Sequence, residues 1–264
     1  MQQQPFFTGV YMIDWNSTIA AIWRQRKETL RPVFQLDPIQ LVELLGIDVQ
    51  KDQLILNTKR FLAGKPANNA LLWGARGTGK SSLIKALLNT YHAEGLRIIE
   101  VDKQDLVCLP DIVDDIRELP QRFIIYCDDL SFESSDSQYK SLKSVLEGSI
   151  ELPPENVLVY ATSNRRHLLP EHMRENLDTR LVDGEVHYSD AIEEKISLSD
   201  RFGLSLAFYP QNAQSYLEIV DSLFPDVSGD RQLLHKAALD FAHQRASKSG
   251  RTAKQFYNSF VDFG

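Results

Sequence analysis

The apolar run Ala70-Leu71-Leu72-Trp73 ends in Gly74, and after four intervening residues come Gly79, Lys80 and Ser81. That spacing, G-x-x-x-x-G-K-[ST], is the pattern of a phosphate-binding loop. It constrains the fold tightly, because a strand must deliver the loop and a helix must start where it ends. The residues on both sides agree. Strand-like residues precede it, and Ser82-Leu83-Ile84-Lys85-Ala86-Leu87-Leu88 follow at helical spacing. Gly74, Gly77 and Gly79 let the backbone adopt positive φ and approach an anion without a Cβ in the way. The N–H groups of Ala75, Arg76, Gly77, Thr78, Gly79, Lys80, Ser81 and Ser82 are then the expected nest for phosphate, helped by the positive end of the helix. Lys80 is placed to reach β- and γ-phosphates, and the Ser81 hydroxyl to hold Mg²⁺.

Downstream, short apolar segments alternate with helical ones. Strands are predicted at Leu71–Trp73, Arg97–Val101, Phe123–Cys127 and Val157–Ala161. Helices are predicted at Ser81–Tyr91, Leu109–Leu119 and Ser137–Leu146. Such alternation predicts an α/β fold, a mostly parallel sheet covered by helices on both faces. Ligands in these sheets bind at the carboxyl ends of the strands. Two strand ends therefore matter. Phe123–Cys127 runs into Asp128-Asp129, which gives one acid to hold Mg²⁺ and a second to orient water. Glu133 stands nearby as a substitute for the second. Val157–Ala161 runs into Thr162-Ser163-Asn164, a polar end suited to sit beside a γ-phosphate. Arg165-Arg166-His167 follow, either as readers of the nucleotide or as a solvated loop.

The flanks are predicted as follows. Asn16-Ser17-Thr18 caps a helix through Ile19–Arg26. Pro38 to Leu62 forms two helices around Gly46-Ile47-Asp48, one helix ahead of the loop strand. Ile47 and Gln50 are the candidates there for holding an adenine, with a bare helix–turn–helix as the alternative. The polar stretch from Pro170 to Ile196 carries no assigned structure. Leu204–Phe208 is a last strand, and three helices follow at Ser215–Phe224, Arg231–Arg245 and Thr252–Val261. They form a lid that is locally basic, with six Lys/Arg against two Asp/Glu from Ser228 to Lys254. The expected organisation is an N-terminal helical extension (1–45), an α/β core (46–209) and a helical lid (210–264).

Net charge of −7 argues weakly against a protein that coats nucleic acid by electrostatics. Cys108 and Cys127 lack metal spacing and are expected as free thiols. Without a signal-like start or an apolar run of about 18 residues, a cytoplasmic protein is expected.

Together these pieces resemble the AAA+ ATPases, from about Gly46 onward. Gly74–Ser81 resembles Walker A, Phe123–Asp129 resembles Walker B, and Asn164 resembles sensor 1. Arg201, in Ser199-Asp200-Arg201-Phe202-Gly203, is similar to the arginine finger of the bacterial replication initiator. Arg251, in Ser249-Gly250-Arg251-Thr252-Ala253, resembles sensor 2. The phrases Pro66–Ser82, Asp128–Phe132, Ala161–Leu168 and Leu198–Leu204 are closer still to a bacterial AAA+ family of predicted ATPases of unknown function. The resemblance implies ATP and Mg²⁺ as cofactors, hydrolysis in a homo-oligomer with Arg201 acting in trans, and an unidentified protein or DNA target. Lys80, Asp129, Asn164, Arg201 and Arg251 are the implied catalytic set, and Ser81 and Asp128 the metal ligands. The departure is Asp129, where the wider class has Glu. Two further classes stay open: a slowly hydrolysing switch or loader, and a small-molecule kinase.

Overall fold

A computed structural model describes residues 13–132, 139–148, 150–166, 168, 180–182, 185–187, 198–225 and 230–260. Its main element is a seven-stranded sheet in the order β2-β1-β4-β5-β6-β3-β9. The strands are β1 (Ala20–Arg24), β2 (Thr29–Pro32), β3 (Ala70–Gly74), β4 (Leu96–Glu100), β5 (Arg122–Cys127), β6 (Val157–Ser163) and β9 (Leu204–Phe208). All neighbours pair in parallel except β1 with β2. A separate antiparallel pair, β7 (Arg180–Val182) and β8 (Glu185–His187), lies within the stretch left unassigned by the sequence.

Successive strand residues enter opposite cores, as the period of two requires. Leu71, Phe123, Ile125 and Val159 join one apolar cluster with residues of α3 (Leu109–Ile116) and α4 (Tyr139–Glu147). Leu72, Ile124, Tyr126 and Tyr160 join the other, with residues of α1 (Asp48–Leu62) and α2 (Lys80–Tyr91). A third cluster, around Tyr216, Phe241 and Phe256, belongs to α5 (Ala213–Leu223), α6 (Arg231–Gln244) and α7 (Gly250–Phe260). This helical unit therefore has its own core.

Residues Ile19–Arg26 do not form the expected helix. Ala20–Arg24 is β1, added in parallel to the edge of β4 and closed by the turn to β2. Ala20, Ala21 and Trp23 are buried. A five-residue apolar run buried on both faces suits a strand as well as a helix, and pairing with β4 decides it. Arg97 secures this addition. The residue is 7% exposed, and its guanidinium donates to the carbonyls of Trp15, His92 and Leu96. Burial lowers its pKa. The helix expected before Gly46 is only a single 3-10 turn, Leu41–Glu43, and α1 alone is a full helix.

A buried polar knot ties α1 to the start of β3. The Asn57 amide donates to the Asn68 carbonyl at 2.8 Å and to the Tyr160 hydroxyl at 3.0 Å. The Thr58 hydroxyl is 3.0 Å from the same phenol. Tyr160→Phe is expected to cost about 1 kcal/mol, seen as a melting temperature lower by about 2–4 °C. An unchanged melting point would mean that the knot contributes nothing net.

Candidate functional site

The loop after β3 has the shape its glycines predict. Gly74 has φ +131°, and a Cβ there would fall 2.0 Å from the carbonyl oxygen of Phe208. Only glycine lets β9 come this close, and Ala75 N–H uses the approach to donate to that oxygen at 3.1 Å. At Gly77, φ +77°, a Cβ would meet Ser249 Oγ at 2.8 Å and Arg251 Cβ at 3.1 Å. The helical unit thus rests directly on the loop. Lys80 opens α2 and folds back, donating to the carbonyls of Gly74 at 2.9 Å and Ala75 at 2.7 Å. Burial lowers its pKa, against the opposing pull of Asp129 and Asp128. Among the described residues its hydrogen bonds go only to carbonyls, and an anion in the loop would add a charged partner.

The two acids at the end of β5 differ in role by their surroundings. Asp128 Oδ1 accepts from Ser81 Oγ at 2.8 Å and Thr162 Oγ1 at 2.6 Å. Burial would raise its pKa, but the hydroxyls of Thr162, Tyr126 and Ser81 around it outweigh burial and hold it below the usual range. Asp128 therefore stays ionised. Asp129 sits in the left-handed region, φ +49°, with its N–H on Thr162 Oγ1 at 2.9 Å. Its carboxylate points to the cleft, accepts a short hydrogen bond from Asn164 Nδ2, and stands 4.0 Å from Arg76 Nη2. The Tyr126 hydroxyl is buried and, among the described residues, has no partner at hydrogen-bonding geometry.

These groups share one cleft of about 980 Å³ between the sheet and the helical unit. It is lined by Arg76, Gly77, Thr78, Gly79, Lys80, Ser81 and Ser82, by Asp128, Asp129 and Asn164, and by Ile47 and Arg251. That volume suits a nucleotide-sized ligand. Ile47 is 4% exposed and packs over Gly79. Gln50 stays out of the cleft, contrary to expectation. Its amide donates to the Ala207 carbonyl at 2.7 Å and fastens α1 to β9. Arg165 and Arg166 also lie outside it. The Arg166 guanidinium covers the Trp73 ring, 5.7 Å from its centroid. Glu133, His167 and most of 170–196 lie outside the described residues.

Arg201 is at the other end of the sheet. β3 and β9 run in parallel register, Ala70 beside Leu204 and Gly74 beside Phe208. Arg201 precedes β9, whereas the loop follows β3. Five residues of strand, roughly 17 Å, separate it from its own loop. It pairs with Glu147 at the end of α4, and its side chain is 15% exposed.

Sequence reasoning missed part of the cleft wall. Pro38, Ile39, Leu44 and Leu45 line it from the N-terminal arm, and Ile219 and Leu223 from α5. The arm crosses the mouth because the Asn89 side chain donates to the carbonyls of Asp37 and Ile39. No helical period announces such a segment. Among the described residues, no helix is long and apolar enough to cross a membrane.

Comparison with known proteins agrees with this architecture. Over 81 residues the chain is 35% identical to the replication factor C large subunit of Staphylothermus marinus, 30% of this chain but only 18% of that protein. Two mutants of RuvB from Thermotoga maritima superpose on 84% of this chain and 72% of their own, with TM-scores of 0.50 and 0.48 and identities of 16% and 15%. At that identity the first likeness is one of fold alone. Residues 16–262 match the family described as "Protein of unknown function (DUF815)". The chain belongs to that family, and its fold is the AAA+ P-loop fold, a mostly parallel sheet flanked by helices.

Proposed function

We propose that this protein binds ATP and Mg²⁺ between an α/β core (46–209) and a helical lid (210–264) and hydrolyses ATP to ADP and phosphate. The observation that carries this reading is the convergence of the phosphate loop, Lys80, Ser81, Asp128, Asp129, Asn164 and Arg251 on one cleft. The residues also fit both cofactors. The loop holds a buried ammonium facing carbonyls, and an ionised carboxylate lies 2.8 Å from a hydroxyl at the helix start. Ser81 and Asp128 would hold the cation, which when bound offsets charge on the β- and γ-phosphates. The chain's own residues do the rest by position and charge. Lys80 exchanges its carbonyls for phosphate oxygens. Asp129, steadied by Asn164, accepts a hydrogen bond from the attacking water and turns it toward the γ-phosphorus. Arg76 and Arg251 add cis charge from the loop and from the lid, which rests on Gly77.

Arg201 cannot serve its own site across the length of β9. It serves the next subunit, which makes the active species a head-to-tail oligomer. The work done is the remodelling or loading of a protein or DNA partner. The late position of Arg201 and its distance from the loop favour this over a small-molecule kinase, whose lid arginines close on their own phosphate.

The test is Lys80→Ala beside wild type, followed by binding of a fluorescent ATP analogue and by steady-state hydrolysis over a range of protein concentrations. Loss of a charge-assisted contact predicts affinity weaker by about 10- to 100-fold. Wild-type specific activity is expected to rise with concentration. A wild-type protein that shows no affinity for ATP at millimolar concentration would end this reading.

A further inference from the structure

Tyr126 is an unusual residue for its place. It lies inside the apolar strand β5, two residues before Asp128, so both side chains leave the same face of the sheet. On that face Tyr126 shares an apolar cluster with Leu83, Ile84 and Leu87 of α2. The residue is 4% exposed. Phenylalanine would fill this space equally well, yet a hydroxyl is present and has no hydrogen-bond partner among the described residues. A buried hydroxyl left unpaired is costly, and one that persists in a native core calls for a ligand, a water or a conformational change that satisfies it. Tyr160, in the same cluster, shows the ordinary solution, with its hydroxyl held by Asn57 and Thr58.

The surroundings of the Tyr126 hydroxyl say what is missing. Burial and the Asp128 carboxylate push the phenol's pKa up, while the Ser81 hydroxyl opposes them, so both groups border the Tyr126 hydroxyl. Both are already engaged with each other: Ser81 Oγ donates to Asp128 Oδ1 at 2.8 Å, and Thr162 Oγ1 donates to the same oxygen at 2.6 Å. Both donors fall on Oδ1, and the Tyr126 phenol stands beside the same carboxylate without reaching hydrogen-bonding geometry. Any cation drawn to Ser81 and Asp128 must loosen the contact between them. Glu100 stands across the register on β4, so a further carboxylate borders the same corner.

We infer that Tyr126 is a positioning residue for the divalent cation: its hydroxyl donates to the Asp128 carboxylate once a cation occupies the corner, and so orients that carboxylate as a ligand. This rests on the reading of Ser81 and Asp128 as the cation's holders and extends it by one residue. Tyr126 does not touch the reacting atoms. Its effect runs through Asp128, in the way outer partners of metal ligands usually act.

Tyr126→Phe removes one oxygen and keeps the ring in its packing. Two measurements on the full chain test it, with Tyr160→Phe as the companion. The first is affinity for a fluorescent ATP analogue in EDTA, then affinity for Mn²⁺ with that nucleotide bound, followed by the paramagnetic signal of free Mn²⁺. The second is the melting temperature without nucleotide or cation. For Tyr126→Phe, nucleotide affinity in EDTA is expected to be unchanged and Mn²⁺ affinity weaker by about tenfold or more. Its melting temperature is expected to rise by about 2–4 °C, because an unpaired buried hydroxyl has gone. For Tyr160→Phe the pattern inverts, with lower melting and unchanged Mn²⁺ affinity. Mn²⁺ affinity of Tyr126→Phe within twofold of wild type would overturn the proposal. So would a loss of stability like that of Tyr160→Phe. Wild-type protein whose nucleotide affinity ignores the cation altogether would overturn the underlying cation site, a separate result seen before any variant is compared.

Discussion

Arg201→Ala is expected to lower steady-state ATP hydrolysis by about 10³- to 10⁵-fold while leaving ATP affinity as in wild type. The size follows from what an arginine inserted at a transferring phosphoryl group supplies, namely positive charge where charge is displaced, in a site from which water has been excluded. The preserved affinity follows from topology. Arg201 precedes β9 at the amino ends of the strands, and the phosphate loop lies at the carboxyl ends. Removing it leaves the subunit's own loop, acids and lid intact. The decisive form of the measurement mixes two inactive variants. Arg201→Ala keeps a whole loop, and Lys80→Ala keeps a whole arginine. At interfaces where a Lys80→Ala subunit presents Arg201 to an Arg201→Ala subunit, a complete site is rebuilt, and activity is expected to return in the mixture. If the mixture stays as inactive as its parts, Arg201 does not act between subunits. The pairing of Arg201 with Glu147 has to yield first. With the arginine 15% and the carboxylate 45% exposed, this pair is held more firmly than a surface pair, so Arg201 leaves Glu147 only where a neighbour's phosphate takes the carboxylate's place.

The parts of the site that were legible in the sequence are those whose chemistry is local. A phosphate loop is written in consecutive residues because glycines, lysine and serine act through a single turn. The acids Asp128 and Asp129 announce themselves because an apolar strand must end before a charge can be tolerated. What the sequence concealed depends on partners far along the chain. Ala20–Arg24 becomes a strand only because the edge of β4 is there to pair with it. Gln50 satisfies its amide on Ala207, 157 residues away, and so leaves the cleft where its place one helix ahead of the loop strand had put it. Thr162 could be seen as a polar strand end, but not as the hydroxyl that serves both acids at once. Tyr126 gave one faint signal, a phenol in an apolar strand at period two from an acid. Its unpaired state appears only when α2 is packed over it.

Asp129→Asn carries the other large expected effect, a fall in hydrolysis of about 10²- to 10⁴-fold with nucleotide binding retained. The substitution isolates chemistry from structure unusually well. Asp129 holds φ +49°, a region that Asn and Asp enter more readily than other non-glycine residues. Asparagine therefore keeps the backbone, the N–H bond to Thr162 and the side-chain volume. What it loses is the negative charge and a proton-accepting oxygen aimed at water. The same backbone gives a reason for aspartate rather than glutamate at this place. Glutamate is less at ease in the left-handed region, and one more methylene would carry the carboxylate past the Asn164 amide that now steadies it. Asp129→Glu is accordingly expected to hydrolyse ATP no faster than wild type, and to melt slightly lower. The check is single-turnover hydrolysis with ATP pre-bound, which separates the chemical step from binding and assembly. A wild-type rate for Asp129→Asn would remove Asp129 from the water's side of the site. A glutamate variant markedly faster than wild type would mean that reach, and not the left-handed backbone, governs the choice of acid.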